Sequence, residues 1–315
     1  MSEILFMPEQ RGYPADYLRG RLSGRREGLI ADWERLLSTA DPLQGLALEE
    51  HSDEGIWRRL LAEYAWAWRQ MEPKLRRTFA PYFTLVEFQT LVKVLRLHQE
   101  GGSERGAQLL EQSQLNPAIK ALLLSEGGLD TVMAGLVPLL GAIDRRFYRL
   151  EEAFREEKLS GFELRLAGLC LEYQAERKMH PVMETFFRLS IDHCNLLAIA
   201  KHQRWGVDTA PTMIRGGHLS ASRLEEAAKR GDGGALAELV RQAVGREVSK
   251  EDMEQLEPLL LAALTREIRR MGRCDDEIGP ILDYLWRRFM EARNLGILFH
   301  GTRLDRDTVR AELVQ

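Results

Sequence analysis

The spacing of the apolar residues constrains the fold more than any other feature, because they recur every three to four positions along almost the whole chain. Ile56, Leu60 and Tyr64, for example, fall on one face of a helix. Alternation with a period of two, the pattern of a half-buried strand, is not convincing in any segment. Strong helical segments cover residues 17–39, 56–71, 129–156, 161–178, 221–230, 252–272 and 280–300. The sequence therefore predicts an all-α protein.

Four glycine pairs lie between these helical segments. Glycine accepts the positive φ angles that stop one helix and turn the chain into the next. We therefore predict turns at Gly101-Gly102, Gly127-Gly128, Gly216-Gly217 and Gly233-Gly234. A phosphate-binding loop would need a preceding strand and a fixed glycine spacing, and the sequence has neither.

Length and charge narrow the class of protein. The 315 residues are 44% hydrophobic and 29% charged, which allows two or three globular domains of about 100–150 residues each. The net charge of −4 leaves no chain-wide positive field to attract nucleic acid, and we expect no such partner. Six Arg-Arg pairs, accompanied by acids, indicate solvated helix faces with salt bridges; they begin at residues 25, 58, 76, 145, 269 and 287.

The sequence predicts a cytoplasmic chain without a membrane span. The most apolar stretches, residues 132–143 and 259–264, are well short of the roughly 20 residues that cross a bilayer. The first twelve residues lack the basic start of a secretory signal and indicate a short arm before the fold. Cys170, Cys194 and Cys274 have no paired spacing, which favours a reducing compartment.

Three helices of the sequence can be overlaid on one another. The aligned residues, which lie 105 and 99 residues apart, are Thr90, Asn195 and Asn294. Three positions earlier each copy has an acid: Glu87, Asp192 and Glu291. Eight positions earlier each has an aromatic residue: Tyr82, Phe187 and Trp286. A long amphipathic helix precedes each copy, at residues 56–71, 139–156 and 252–272.

This repeat predicts three pseudo-symmetric helical-bundle modules, at residues 13–100, 101–206 and 207–315. Leucine-rich helices align easily, so a chance overlay of amphipathic helices is the alternative interpretation. An acid and an asparagine three positions apart share one helix face and need partners when they are buried. We expect Asn195 and Asn294 to hydrogen-bond a neighbouring helix or its loop, and Asp192 and Glu291 to pair with arginines, which would fix the helix register.

No catalytic, metal or cofactor site is predicted. No histidine lies three or four positions after the repeated acids, where a di-metal helical site would need one. The best enzyme candidate is the acidic run at residues 274–277, which resembles the Asp-Asp-x-x-Asp magnesium motif of all-α isoprenoid synthases. Gly279 stands where the final acid would be, so a solvated loop is the favoured interpretation. The seven histidines form no zinc-binding pattern.

Three segments in order resemble one family of proteins. They are FFRLSIDHCNLLAIAKHQRWG from residue 186, IRGGHLSASRLEEAAKRGD from residue 214, and ILDYLWRRFMEARNLGILFHG from residue 281. The family is the C subunit of the A-type and bacterial V/A-type rotary ATPases, whose eukaryotic counterpart is the d subunit of the vacuolar proton pump. Its features are an acid then Asn-Leu within a helix, a Gly-Gly-x-Leu turn, and a closing acid-x-x-Asn-Leu helix. Thr90 departs from this pattern in the first copy.

The resemblance implies a funnel of three modules that stands on the cytoplasmic end of the membrane proteolipid ring and receives the foot of the central shaft. Such a protein would be a non-catalytic part of the rotor, peripheral to the membrane, and would contact neither nucleotide nor cofactor. Its partners would be the central shaft subunits and the proteolipid ring. A helical-repeat adaptor with soluble partners only is the alternative function. The rotary function predicts a central pocket with an apolar wall and a charged rim.

Overall fold

The computed structural model describes residues 4–39, 47, 51–206, 211–231 and 233–314. Within these ranges the secondary structure is helical, and the only pairing of extended backbone is two isolated bridges, Leu5 with Leu115 and Tyr13 with Met71. The prediction of an all-α fold is confirmed.

The chain divides into two compact units. The first contains Met1–Leu18 and Ser52–Arg177, and the second contains Arg19–His51 and Lys178–Gln315. The predicted three-module division at 13–100, 101–206 and 207–315 stays a prediction.

The helices are numbered in chain order. The first two are α1 (Ala15–Arg26), whose residues belong to both units, and α2 (Trp33–Ser38), which belongs to the second. The first unit continues with α3 (Asp53–Gln70), α4 (Pro73–Gln99), α5 (Ser103–Gln112), α6 (Pro117–Leu123), α7 (Leu129–Ile143), a 3-10 turn (Arg145–Tyr148) and α8 (Arg149–Ala175). The second unit continues with α9 (Pro181–Trp205), α10 (Ala221–Arg230), α11 (Gly233–Val244), α12 (Lys250–Glu254), α13 (Leu256–Met271), α14 (Gly279–His300), a 3-10 turn (Gly301–Arg303) and α15 (Arg306–Glu312).

An aromatic cluster forms the core between α3 and α4 in the first unit. Tyr64 and Trp68, which continue the apolar face predicted for α3, are 1% and 0% exposed. The Tyr64 and Tyr82 hydroxyls lie 2.8 Å apart, and Trp68 packs on Phe83 with ring centroids 4.7 Å apart. The face predicted from the spacing of apolar residues is therefore the buried one.

The core of the second unit is mostly aliphatic. Buried leucine, isoleucine, valine and alanine residues of α9, α10, α11 and α13 form one cluster that includes Leu196, Leu224 and Val240. Between α13 and α14, Trp286 donates its indole N–H to Thr265 Oγ1 at 2.9 Å and packs edge-on against Phe186 of α9. These contacts bring α9 and α14, which carry two of the predicted acid-asparagine pairs, into one packed body.

Three predicted helices are interrupted in the structure. The segment 17–39 breaks after Arg26, and Asp32 starts α2 by accepting from Arg35 N at 2.9 Å. The segment 129–156 stops at Asp144, whose carboxylate accepts from Arg146 N and so begins a 3-10 turn. The segment 252–272 breaks at Gln255. At the first two breaks an aspartate side chain satisfies a backbone N–H group at the start of the next element, whereas Gln255 makes no such side-chain bond.

The predicted turns hold for three of the four glycine pairs. Gly101 and Gly216 have φ angles of 76° and 101°, and Gly127-Gly128 precedes α7. The fourth prediction is wrong, because Gly233-Gly234 forms the first turn of α11.

A strained residue interrupts α8. Lys158 has φ 57° and ψ −141°, a conformation that side chains other than glycine adopt at a cost of about 1–3 kcal/mol. We expect Lys158→Gly to raise the free energy of unfolding by about 1 kcal/mol, measured by urea denaturation. Arg155→Gly, in the regular part of the same helix, should lower it by about 1 kcal/mol. A destabilised Lys158→Gly variant would show that this backbone is not strained.

Candidate functional site

The three repeated acids are buried, each on a long helix. Glu87 lies on α4, Asp192 on α9 and Glu291 on α14, with exposed fractions of 2%, 3% and 6%. A buried carboxylate is costly unless hydrogen bonds or charges compensate for the lost water. The partners of each acid therefore show what the acid does.

Glu87 holds the segment that follows α5. Its Oε2 accepts from the Ser113 hydroxyl at 2.6 Å, and its Oε1 accepts from Gln114 N at 2.5 Å. Lys120 contributes a favourable charge, and its ammonium donates hydrogen bonds to the Leu110 and Ser113 carbonyls. The acid thus fixes where α5 ends.

Asp192 holds the Gly-Gly-x-Leu turn of the sequence pattern. Its Oδ2 accepts from His218 N at 2.9 Å, and its Oδ1 accepts from Leu219 N at 3.0 Å. The predicted arginine partner is therefore replaced by two backbone amides, and Arg188 adds only a charge interaction. Burial raises the pKa of Asp192 above its ordinary value, while the two amides act in the opposite direction.

Gly217 allows the turn to approach this carboxylate. A Cβ on Gly217 would lie 2.0 Å from Asp192 Oδ1 and 3.2 Å from Ile191 Cγ2. Because real Cβ atoms do not come closer than about 3 Å, only glycine fits without movement of the turn or the acid.

Asn195, one helical turn after Asp192, holds the start of the same loop. Its Nδ2 donates to the Ile214 carbonyl and its Oδ1 accepts from Ile214 N, both at 2.8 Å. This confirms the prediction that Asn195 bonds a neighbouring loop. The two side chains together fix residues 214–219 to α9.

Glu291 holds the segment between α1 and α2. Its Oε1 accepts from Ile30 N at 2.8 Å, and its Oε2 pairs with Arg288 Nη1 at 2.8 Å. Arg288 extends the connection by donating to the carbonyls of Arg25 and Gly28. The arginine partner predicted for Glu291 is confirmed.

Asn294 holds the segment that follows α15. Its Nδ2 donates to the Val314 carbonyl at 2.8 Å, and its Oδ1 accepts from Val314 N at 3.3 Å. The asparagine therefore makes the same pair of backbone bonds as Asn195, in a loop at a similar distance along the sequence.

The acids of α4 and α9 share a spacing as well as a role. Glu87 and Asp192 both bind groups that follow them by 26 and 27 residues. Glu291 instead binds Ile30, which precedes it by 261 residues. The carboxyl group on α14 thus accepts a backbone amide from an early segment of the chain, whereas those on α4 and α9 accept backbone amides from a segment that follows them.

Thr90 replaces asparagine in the first copy and makes different bonds. Its hydroxyl donates to the Val86 carbonyl one turn back and accepts from the Trp57 indole N–H at 3.1 Å. A threonine is too short to bridge a loop in the way that Asn195 does, so it ties α4 to α3 instead.

The burial of Glu87 predicts an unusual pH dependence of the free energy of unfolding. Burial raises the pKa of this carboxyl from 4.5 to about 7, against the hydrogen bonds and Lys120. The folded state then keeps a proton that the unfolded state has released, so stability falls as pH rises from about 4.5 to about 7. At about 1.4 kcal/mol per pKa unit the loss amounts to about 3 kcal/mol.

Glu87→Gln should remove this contribution, because its amide can still bond Ser113 and Gln114 but does not titrate. We expect the stability difference between pH 5 and pH 8, from urea denaturation, to shrink by about 3 kcal/mol relative to wild type. The exposed Glu111→Gln change on α5 serves as the control. Parallel pH curves for wild type and Glu87→Gln would rule out a proton on Glu87.

A comparison with models of protein families identifies the family of this chain. The family model described as ATP synthase (C/AC39) subunit matches residues 45–312, which is most of the chain. The chain belongs to this family. It is the C/AC39 subunit family of the V/A-type ATPases, so the partners of the chain lie within a rotary ATPase complex. No curated protein matches the sequence.

The acidic run at residues 274–277, the enzyme candidate of the sequence, lies between α13 and α14 of this C/AC39 family member. Asp276 of the acidic run caps α14 by accepting from Ile278 N and Gly279 N at 2.7 and 3.0 Å. Asp275 and Glu277 are exposed, as the solvated-loop interpretation predicts. Within the described residues, no three histidine, cysteine or acidic side chains are grouped closely enough to hold a metal ion. Across the same ranges, no helix combines the length and apolarity that crossing a bilayer requires.

Most of the Arg-Arg pairs behave as the sequence predicts. Five of their arginines form ion pairs with carboxylates: Arg26, Arg146, Arg270, Arg287 and Arg288. Arg76 differs from these five, because it is 2% exposed and bonds backbone carbonyls instead of a carboxylate. Nothing in the pair sequence distinguishes Arg76 from the others, so the sequence did not predict its burial.

Proposed function

We propose that this chain is a non-catalytic rotor subunit of a V/A-type ATPase or ATP synthase. It would act as a socket that couples the rotating shaft to the membrane proteolipid ring during proton or sodium transport. The observation that carries the proposal is the family match over residues 45–312, on a chain whose described part is helical throughout. The chain would lie at the cytoplasmic face of the membrane as a peripheral subunit.

The buried polar bonds support a mechanical role. A protein that transmits torque must keep its helices in register under load, and hydrogen-bonded buried groups specify register at the cost of some stability. Glu87, Asp192, Asn195, Glu291 and Asn294 each fix a loop or segment to the middle of a long helix. We infer that these five residues are a structural repeat signature of three pseudo-symmetric modules arranged as a funnel.

The carboxyl groups of this signature are already committed to other partners, which argues against catalysis. A general acid or base must reach substrate, whereas these carboxylates are 2–6% exposed and saturated by amides, a hydroxyl or an arginine. The chain would therefore supply coupling and leave ATP chemistry to other subunits.

A pull-down in mild detergent from native membranes tests the proposal. The tagged chain should recover a coiled-coil shaft protein and a small proteolipid, identified by mass spectrometry. A tagged chain carrying Asp192→Ala and Asn195→Ala, which frees the 214–219 loop, should recover less of both. Recovery of soluble partners only would contradict the rotor function and favour a helical-repeat adaptor.

A further inference from the structure

A cavity of about 160 Å³ lies within the second unit, between residues 26–33 and the helices α13 and α14. At about 30 Å³ per water molecule, its volume equals that of about five waters. The cavity is therefore large enough for a small polyatomic ion.

Three arginines line this cavity, and two of them share one buried acid. Arg26 Nη2 lies 3.0 Å from Asp283 Oδ2, and Arg287 Nε lies 3.1 Å from Asp283 Oδ1. The Asp283 side chain is 4% exposed, so water does not provide further compensation on that side. The Asp283 carboxylate thus forms ion pairs with both Arg26 and Arg287.

The third arginine, Arg269, lines the cavity with one nitrogen that has no hydrogen-bond partner, and Asp283 acts on it only through its charge. Its Nε is fully buried and finds no hydrogen-bond acceptor among the residues that the structure describes. Burial, and then the like charge of Arg287, lower the pKa of Arg269. A buried donor without an acceptor is costly. An anion bound beside Arg269 would accept a hydrogen bond from this nitrogen and remove the cost.

The acid that lines the cavity, Glu291, does not supply that anion. Glu291 lines the wall, but its two oxygens are bound to Ile30 N and to Arg288. Arg26, Arg269 and Arg287 line the cavity with Glu291, and Asp283 and Arg288 pair with these residues from outside the lining. The four arginines and two carboxylates leave an excess of two positive charges.

We propose that this cavity binds a small inorganic oxyanion of the phosphate and sulfate class. A tetrahedral oxyanion presents paired oxygens to a planar guanidinium, which can donate two parallel hydrogen bonds from Arg269. Its charge of one to two offsets the excess at Arg26, Arg269 and Arg287. Bound there, it ties the segment 26–33 to α13 and α14, beside the contact between Glu291 and Ile30.

The test uses the purified full-length chain and does not depend on assembly with other subunits. Sodium phosphate and sodium sulfate are titrated against sodium chloride at constant ionic strength, followed by thermal unfolding and isothermal titration calorimetry. We expect a saturable rise in Tm of a few degrees with both oxyanions and none with chloride. Arg269→Gln should raise the Kd for phosphate about tenfold or more.

Matched variants separate this site from general charge effects. Arg273→Gln removes the same charge from an exposed residue four positions after Arg269, and it should leave the Kd for phosphate within about twofold of wild type. In chloride, Arg269→Gln should be as stable as wild type, because the buried Nε has no acceptor to lose among the described residues. The proposal is overturned if neither oxyanion binds, or if Arg269→Gln and Arg273→Gln change the Kd equally.

Discussion

Arg76→Ala is expected to lower the free energy of unfolding by about 4 kcal/mol, a large fraction of the stability of a typical domain. Arg76 donates to four backbone carbonyls. Its Nη1 and Nη2 bond Pro8 and Gln10 of the N-terminal arm at 2.7 Å, and its Nε and Nη2 bond Trp68 and Arg69 in the last turn of α3. Alanine would remove these four bonds, and of the four carbonyls Trp68 O keeps a bond from Met71 N.

The position of Arg76 explains why the effect is large. The last carbonyls of a helix carry partial negative charge and have no partner within the helix. Arg76 supplies donors to two of them and at the same time fixes an arm that has no helix of its own. Its removal therefore breaks hydrogen bonds both at the end of α3 and in the N-terminal arm.

The neighbouring residue provides a matched control for Arg76→Ala. Arg77→Ala makes the same chemical change on an exposed residue, and we expect it to shift stability by less than about 0.5 kcal/mol. Arg76→Lys keeps the charge but lacks the planar set of donors, so its stability should fall between those of wild type and Arg76→Ala. Urea denaturation at pH 7 measures all three. Equal losses for Arg76→Ala and Arg77→Ala would contradict the assigned role.

Gly217→Ala is expected to lower the free energy of unfolding by about 3 kcal/mol, because a Cβ would lie 2.0 Å from Asp192 Oδ1. The turn would have to move away, which would break the bonds from His218 N and Leu219 N to a buried carboxylate. Gly233→Ala is the control, since a Cβ there meets nothing within 4 Å and alanine favours the helix that begins at Gly233. Urea denaturation compares the two variants.

A double-mutant cycle isolates the contact behind this loss. In an Asp192→Ala background the clashing carboxylate is absent, so Gly217→Ala should cost at least about 1.5 kcal/mol less than in wild type. Purely additive losses would show that Gly217 is required for another reason than its approach to Asp192.

The sequence predicted the fold class because its apolar periodicity survives in the structure. Residues 221–230 match α10 residue for residue, since Gly231 ends the helix with a φ of 66°. The breaks at Asp144 and Gln255 escaped prediction, because both lie inside amphipathic runs and depend on local backbone bonds. The loop-binding role of Asn195 followed from the repeat, whereas the contact of Glu291 with Ile30 did not. Ile30 lies 261 residues away, and no local pattern encodes that contact.

The most direct test of the rotor function is a coupling measurement in sealed membrane vesicles. Vesicles from cells that lack this chain are compared with vesicles to which the purified chain has been added back, and both ATP hydrolysis and the ion gradient are recorded. We predict that vesicles without the chain form no ATP-driven gradient, and that adding the chain restores gradient formation together with its dependence on ATP. An undiminished gradient in vesicles without the chain would contradict the proposal that it couples shaft to ring.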